Sequence, residues 1–212
     1  MIAIDNDIVF KGACYDVLAD IIAAVAEDED VYVLGSAIYV VKDRILRTSL
    51  SRPSENAIAR LLECLSVART LEPSPSEIST AAALERKALE MQLPLHGGES
   101  ILCAAAIERN LRLVVTGDKM AISALESLLA AGAALEPLCG RMRCLEQVMK
   151  DLLETRDPDQ LRLSVCREPG VDKTLTICFG CTGPSSFTES IAAGLTSYIE
   201  CLRGSAVHLL SG

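Results

Sequence analysis

Three acidic residues of this sequence stand where they could share one chemistry. Asp5 closes an apolar run from Ile2 to Ile4, Glu99 follows Gly97 and Gly98 ahead of an Ala-rich stretch, and Asp118 ends the run Leu113 to Gly117. Each falls at an expected strand end or helix start. Converging carboxylates repel one another, and Mg²⁺ or Mn²⁺ bound between them removes that cost. Such an ion polarises a phosphodiester and generates hydroxide from bound water, which is the chemistry that hydrolysis of nucleic acid needs.

The elements that must position these acids follow from the hydropathy pattern. Ile2 to Asp5 reads as a strand and Ala13 to Ala26 as a helix with Asp16 and Asp20 on its polar face. A second strand, Val31 to Leu34, follows the acidic turn Glu27 to Asp30. Ser36 to Leu50 is helical in pattern, Arg52 and Pro53 break it, and Ser54 can cap a helix from Glu55 to Leu71. Pro73 to Ser76 is a connector into a helix from Glu77 to Gln92, closed by Pro94, Gly97 and Gly98. Glu99 to Asn110 is helical and almost wholly apolar through Ile101 to Ile107, so it packs deeply. The strand Leu113 to Thr116 and a helix from Met120 to about Ala131 complete the series. This order predicts an α/β layered domain with a parallel sheet, in which reactive residues collect at the carboxyl ends of strands.

Composition changes near residue 135. The first 135 residues hold 23 of the 26 alanines, and the remainder holds six of the nine cysteines. We therefore divide the chain into a first domain, 1–135, and a smaller Cys-rich α+β extension, 136–212, packed on it. The extension reads as a short strand Leu135 to Leu138, a helix Arg143 to Glu154, strands Leu161 to Cys166 and Thr174 to Phe179, a helix Ser186 to Leu202, and a last strand Ala206 to Leu210.

The acids and their surroundings resemble the PIN-like nucleases. The family's first strand ends in Asp with a pattern Asp-Thr-Asn before apolar positions, matched by Asp5, Asn6, Asp7, Ile8 and Val9. Its late acid opening an Ala-rich helix is matched by Glu99, and its Thr-x-Asp after the fourth strand by Thr116, Gly117 and Asp118. The resemblance covers about residues 1–135. It implies a three-layer fold around a central parallel sheet and a nuclease dependent on Mg²⁺ or Mn²⁺, most often a ribonuclease acting on single-stranded RNA, in a toxin, RNA-processing or defence context. It further implies Asp5, Glu99 and Asp118 as catalytic metal ligands, Asp7 as a further contact to the metal or its waters, and Thr116 as a hydroxyl that steers Asp5. The middle acid departs from the pattern. On the helix after the second strand the nearest candidates are Lys42 and Asp43; Asp43 would complete the catalytic set, whereas Lys42 there would replace a ligand by a cation. A degenerate module that binds RNA or a protein without cutting is therefore the rival reading.

Other features are weaker. Lys11 and Lys119 flank proposed ligands and could bind substrate phosphate. His96 could reach a phosphate from the rim of the cluster, His208 lies in an apolar stretch and reads as structural, and Ser100 lacks the context of a nucleophile elbow. Cys139, Cys144, Cys178 and Cys181 could form a loosely spaced zinc site, and an accessible Cys178 and Cys181 would instead favour a redox enzyme. Thr182 to Ser186 could bind an anion at a helix start. With no basic n-region at the start of the sequence, we expect a cytoplasmic protein with reduced thiols, no membrane span, and a protein inhibitor or a second copy of itself as partners beside nucleic acid.

The formal charge of -9 argues against a chain that holds nucleic acid by being basic throughout. The excess is local. Residues 1–135 carry -7, including the proposed ligands, whereas Lys42 to Arg69 holds six bases against three acids, a basic approach to an acidic centre or an ordinary solvated helix face.

Overall fold

A computed structural model describes residues 1–183 and 187–212. Five short parallel strands form one sheet in the order β3-β2-β1-β4-β5: β1 (Ile2–Ile4), β2 (Val31–Leu34), β3 (Arg69–Leu71), β4 (Leu113–Thr116) and β5 (Met142–Cys144). Parallel strands need long crossovers, and helices supply them. Between β1 and β2 lie α1 (Asn6–Tyr15) and α2 (Leu18–Ala26), then α3 (Ala37–Arg47) and α4 (Ser54–Val67) lead to β3. The path to β4 runs through α5 (Pro75–Glu90) and α6 (Gly97–Glu108), and α7 (Lys119–Ala130) leads to β5. After β5 come α8 (Leu145–Thr155), α9 (Pro158–Cys166), α10 (Lys173–Cys178) and α11 (Thr188–Ser205). No described helix is long and apolar enough to cross a membrane.

The central strands β1 and β4 are buried on both faces, so the side chains of the sheet alternate between two cores. Ile2, Ile4, Val33 and Val115 face a core built with α1 to α4 and α8 to α11. Ala3, Leu34, Val114 and Met142 face the other, built with α5 to α7 and the end of α11. The α/β class with a parallel sheet is as the sequence pattern predicts. β5, drawn from the segment 136–212, pairs with β4 through Val114↔Met142 and Thr116↔Cys144, so that segment completes the sheet.

Several local readings are corrected. The helix expected from Ala13 to Ala26 is two helices, because Asp16 takes a left-handed conformation at φ 65° and turns the chain. The helix expected to run to Leu71 stops at Val67 and yields β3. Leu135 to Leu138 is a 3-10 turn at Glu136–Leu138 rather than a strand. Leu161 to Cys166 and Thr174 to Phe179 are helical, in α9 and α10, because Asp157 and Asp172 accept the free N–H groups of their first turns and Pro158 fits the first helical position. Ala206 to Leu210 contributes one bridge, Leu210 to Met142, in place of a strand. The start expected for the last helix, Ser186, and part of the anion-binding stretch Thr182 to Ser186 lie outside the described residues.

α5 carries a reciprocal cap. Ser74 Oγ accepts from Glu77 N, and Glu77 Oε2 accepts from Ser74 N at 2.7 Å, with Pro75 at the first position. Ser74→Ala should lower stability by about 1 kcal/mol in urea unfolding, and a loss of under a few tenths would show that the cap contributes nothing.

Candidate active site

The strand order reverses its direction of growth at β1 and β4, and the crevice beyond their carboxyl ends is where an open parallel sheet gathers function. Asp5 is the residue after β1 and is 5 % exposed. Its Oδ2 accepts from Thr116 Oγ1, the last residue of β4, at 3.0 Å. Thr116 Oγ1 in turn accepts from Asp118 N at 3.1 Å, so one hydroxyl joins both strand ends. Burial pushes the Asp5 carboxyl up to about 6, opposed by the Thr116 hydrogen bond and reinforced by the charge of Asp7.

Asp118 caps α7, its Oδ1 accepting from Met120 N at 2.8 Å and Ala121 N at 3.0 Å. Glu99 stands in the first turn of α6, where its Oε2 accepts from His96 N at 2.8 Å. Burial, then the charges of Asp5 and Asp118, raise the Glu99 carboxyl above its ordinary range despite that bond. Glu99 and Asp118 thus keep their second oxygens outside the capping bonds. Among the described residues no Lys, Arg or His nitrogen forms an ion pair with Asp5, Glu99 or Asp118.

Asp5 lines a small separate cavity with Thr116 and Glu99, whereas Glu99 and Asp118 also line an open cleft of about 390 Å³ with Asp7, Lys11, Arg44 and Lys119. Its outer acid is compensated. Asp7 Oδ2 pairs with Lys11 Nζ at 2.6 Å and Asp7 Oδ1 accepts from Arg44 at 2.7 Å. Lys11 also reaches Asp172 Oδ2 at 2.7 Å. Burial disfavours both charges of that second pair, yet the pairing prevails: Lys11 is held above and Asp172 below its ordinary range. Lys119 pairs with the buried Glu146 and donates to Thr174 Oγ1 at 3.0 Å. The two lysines expected to serve substrate phosphate are therefore engaged by acids of the 136–212 segment.

Asp43 and Lys42 do not join the cluster. Ala37, Val41 and Ile45 form the buried stripe of α3, which turns Asp43 and Lys42 to solvent, where Asp43 pairs with Arg47 at 3.1 Å. Arg44 is the α3 residue that reaches the cleft, its guanidinium stacked over the Phe10 ring 3.9 Å from the centroid. The sequence reading missed it, although its position three residues after buried Val41 was a signal. It missed Asp172 and Glu146 too, for which nothing local pointed to the site.

His96 adjoins the trio, giving Glu99 a backbone bond and a favourable charge, and the remaining candidates fall elsewhere. His96 is exposed at the start of α6, and Ser100 is buried with its hydroxyl donating to His96 O at 3.0 Å. His208 is exposed and pairs through Nδ1 with Glu126 at 2.6 Å. The expectation of reduced thiols fails at one pair: Cys181 is bonded to Cys166, which removes it from the proposed zinc set. Cys144 and Cys178 are buried while Cys139 is exposed.

As the side chains stand, no three His, Cys, Asp or Glu among the described residues close on one point at coordinating distance. The chemistry of the donor set nonetheless fits a hard divalent cation. Asp5, Glu99 and Asp118 offer oxygen ligands, Glu99 is repelled by the other two, and none of the three is paired with a Lys or Arg side chain among the described residues.

Scans against protein-family models and against curated proteins give no match. Among solved structures the chain is similar to one in the crystal structure of VapBC2 from Rickettsia felis bound to a DNA fragment from their promoter, with 14% identity and a TM-score of 0.45. The similarity covers 56% of this chain and 89% of that one.

Proposed function

We propose that the chain is a PIN-like, divalent-metal-dependent nuclease that hydrolyses phosphodiester bonds of single-stranded RNA in the cytoplasm. The observation that carries this reading is the trio Asp5, Glu99 and Asp118, which follow β1, open α6 and follow β4, and which form no ion pair with a Lys or Arg side chain among the described residues. These three residues would hold Mg²⁺ or Mn²⁺. When bound, such an ion supplies Lewis-acid polarisation of the phosphate and a nucleophile from water at neutral pH. Thr116 orients Asp5 through its hydroxyl, and Asp7, tied to Lys11 and Arg44, keeps two cations beside the cleft through which a phosphodiester would approach. A protein inhibitor or a second copy of the chain as partner belongs to the same proposal.

The test is cleavage of a labelled single-stranded RNA with Mn²⁺ and its loss on chelation. Asp118→Asn retains the cap, because an amide oxygen accepts the same two N–H groups, so it should remove cleavage without lowering the unfolding temperature. A specific observation favours the rival reading: α3 delivers Arg44 to the cleft where the family resemblance asks for an acid. Wild-type protein that binds RNA but cuts neither RNA nor DNA with Mg²⁺ or Mn²⁺ would establish the non-cutting module instead.

A further inference from the structure

Lys11 is 7 % exposed, and its ammonium lies between two carboxylates from opposite ends of the chain, Asp7 Oδ2 at 2.6 Å and Asp172 Oδ2 at 2.7 Å. Both carboxylates are fixed independently of it. Asp7 accepts from Arg44 through its other oxygen, and Asp172 caps α10 through Oδ1, accepting from Leu175 N at 2.9 Å. The segment that carries Asp172 is closed on itself by the Cys166 to Cys181 bond. The pair of Asp7 and Lys11 rests on the backbone of Gly117, between Thr116 and Asp118. A Cβ at residue 117 would fall 2.1 Å from Asp7 Oδ2 and 3.2 Å from Lys11 Nζ, so a side chain there would displace both.

We propose that Lys11 is a positioning residue that acts as a fixed second cation of the site: held by Asp7 and Asp172 on Gly117, its ammonium occupies the place a second divalent ion would take. This rests on the nuclease reading. Two carboxylates that face one point from independently anchored elements are what a hard cation asks of its ligands. Phosphodiester hydrolysis commonly uses two cations a few ångströms apart, and here one of the two positive charges is covalent and permanent. The trio then takes a single ion, and the site cannot bind a second without expelling a buried side chain. Asp172 links the 136–212 segment to this arrangement, since without it Lys11 keeps one carboxylate and has no reason to lie over Gly117.

The test is the number of Mn²⁺ ions bound by the full chain, counted by calorimetric titration and by the loss of free Mn²⁺ paramagnetic signal. Wild type is expected to bind one ion and Lys11→Met one more than wild type. The double variant Lys11→Met with Asp172→Asn is expected to lose that additional ion. If Lys11→Met does not fold alone, Mn²⁺ should restore its cooperative unfolding transition, and failure to do so overturns the inference. Equal counts in wild type and Lys11→Met also overturn it, while one ion in wild type would leave the nuclease reading standing. No ion in wild type and one in Lys11→Met would end the proposed trio while still assigning the Lys11 place to a cation.

Discussion

Asp5→Asn should abolish cleavage and at the same time make the protein more stable at neutral pH. The carboxyl is buried and pushed up to about 6 from an ordinary 3.8, chiefly by desolvation. A raised carboxyl means that ionisation costs the folded state more than the unfolded one, so the fold loses stability as pH rises from about 4 through about 6. Above that window the penalty is constant, on the order of 3 kcal/mol as an upper bound. Asparagine has nearly the same shape, its amide oxygen can accept from Thr116, and it does not titrate. The new buried N–H donors offset part of the gain at every pH, leaving about 1–2 kcal/mol of added stability at pH 8 and a net loss of about 1 kcal/mol at pH 4. Urea unfolding of both proteins at the two pH values checks this, and a difference that does not grow with pH would refute it. On the proposed role of Asp5 in holding the metal, its loss would remove several kcal/mol of transition-state charge stabilisation, so cleavage should fall about 10³-fold. Mn²⁺ should correspondingly raise the unfolding temperature of wild type more than that of the variant.

The second large effect lies away from the cleft. Glu168 is 2 % exposed and accepts from two consecutive backbone N–H groups, Ser51 at 2.7 Å and Arg52 at 2.9 Å, more than a hundred residues earlier. It pins the connector between α3 and α4 to the turn after α9. Glu168→Ala leaves both N–H groups without a protein partner, at about 1–3 kcal/mol each, so a loss of about 3 kcal/mol is expected. Glu168→Gln should recover part of it, since one amide oxygen can serve one N–H group while the amide nitrogen opposes the other. Hydrogen exchange at Ser51 and Arg52 should accelerate in both variants. Unchanged exchange with an unchanged urea midpoint would show that solvent replaces the carboxylate without cost.

The trio was legible because each member sits at the end of an element with an unambiguous pattern. Ile2 to Ile4 and Leu113 to Thr116 are short apolar runs buried on both faces, and the residues that follow them must lie at the carboxyl edge of the sheet. Thr116 was legible for the same reason. Asp43 was misplaced because the helix pattern of α3 was read without its phase: burial of Ala37, Val41 and Ile45 turns residue 43 outward and residue 44 toward the cleft. The strands expected in the C-terminal segment failed on an ambiguity of short sequences. Leu161, Leu163 and Val165 alternate with polar residues and suit a strand, yet Leu161 and Val165 are also one helical turn apart, and those two are the buried ones while Leu163 is 42 % exposed. The caps at Asp157 and Asp172 decide the matter, and both were present in the sequence. Asp172 and Glu146 as partners of the site lysines were not legible, because they reach them only through tertiary packing.

The termini of the sheet carry a consequence for association. A parallel sheet of five short strands has two flanks with unpaired backbone groups, and such flanks are templates on which another chain can add a strand. Here the flank at β5 is already spent: Met142 N donates to Leu209 O, Ser211 N donates to Met142 O, and Leu210 bridges to Met142. The opposite flank is a three-residue strand bearing Arg69, which pairs with Asp30, and the solvent-facing Thr70. A copy that zipped onto this sheet would meet a closed seam on one side and a charged, truncated one on the other, so sheet extension is a disfavoured route to assembly or to fibres.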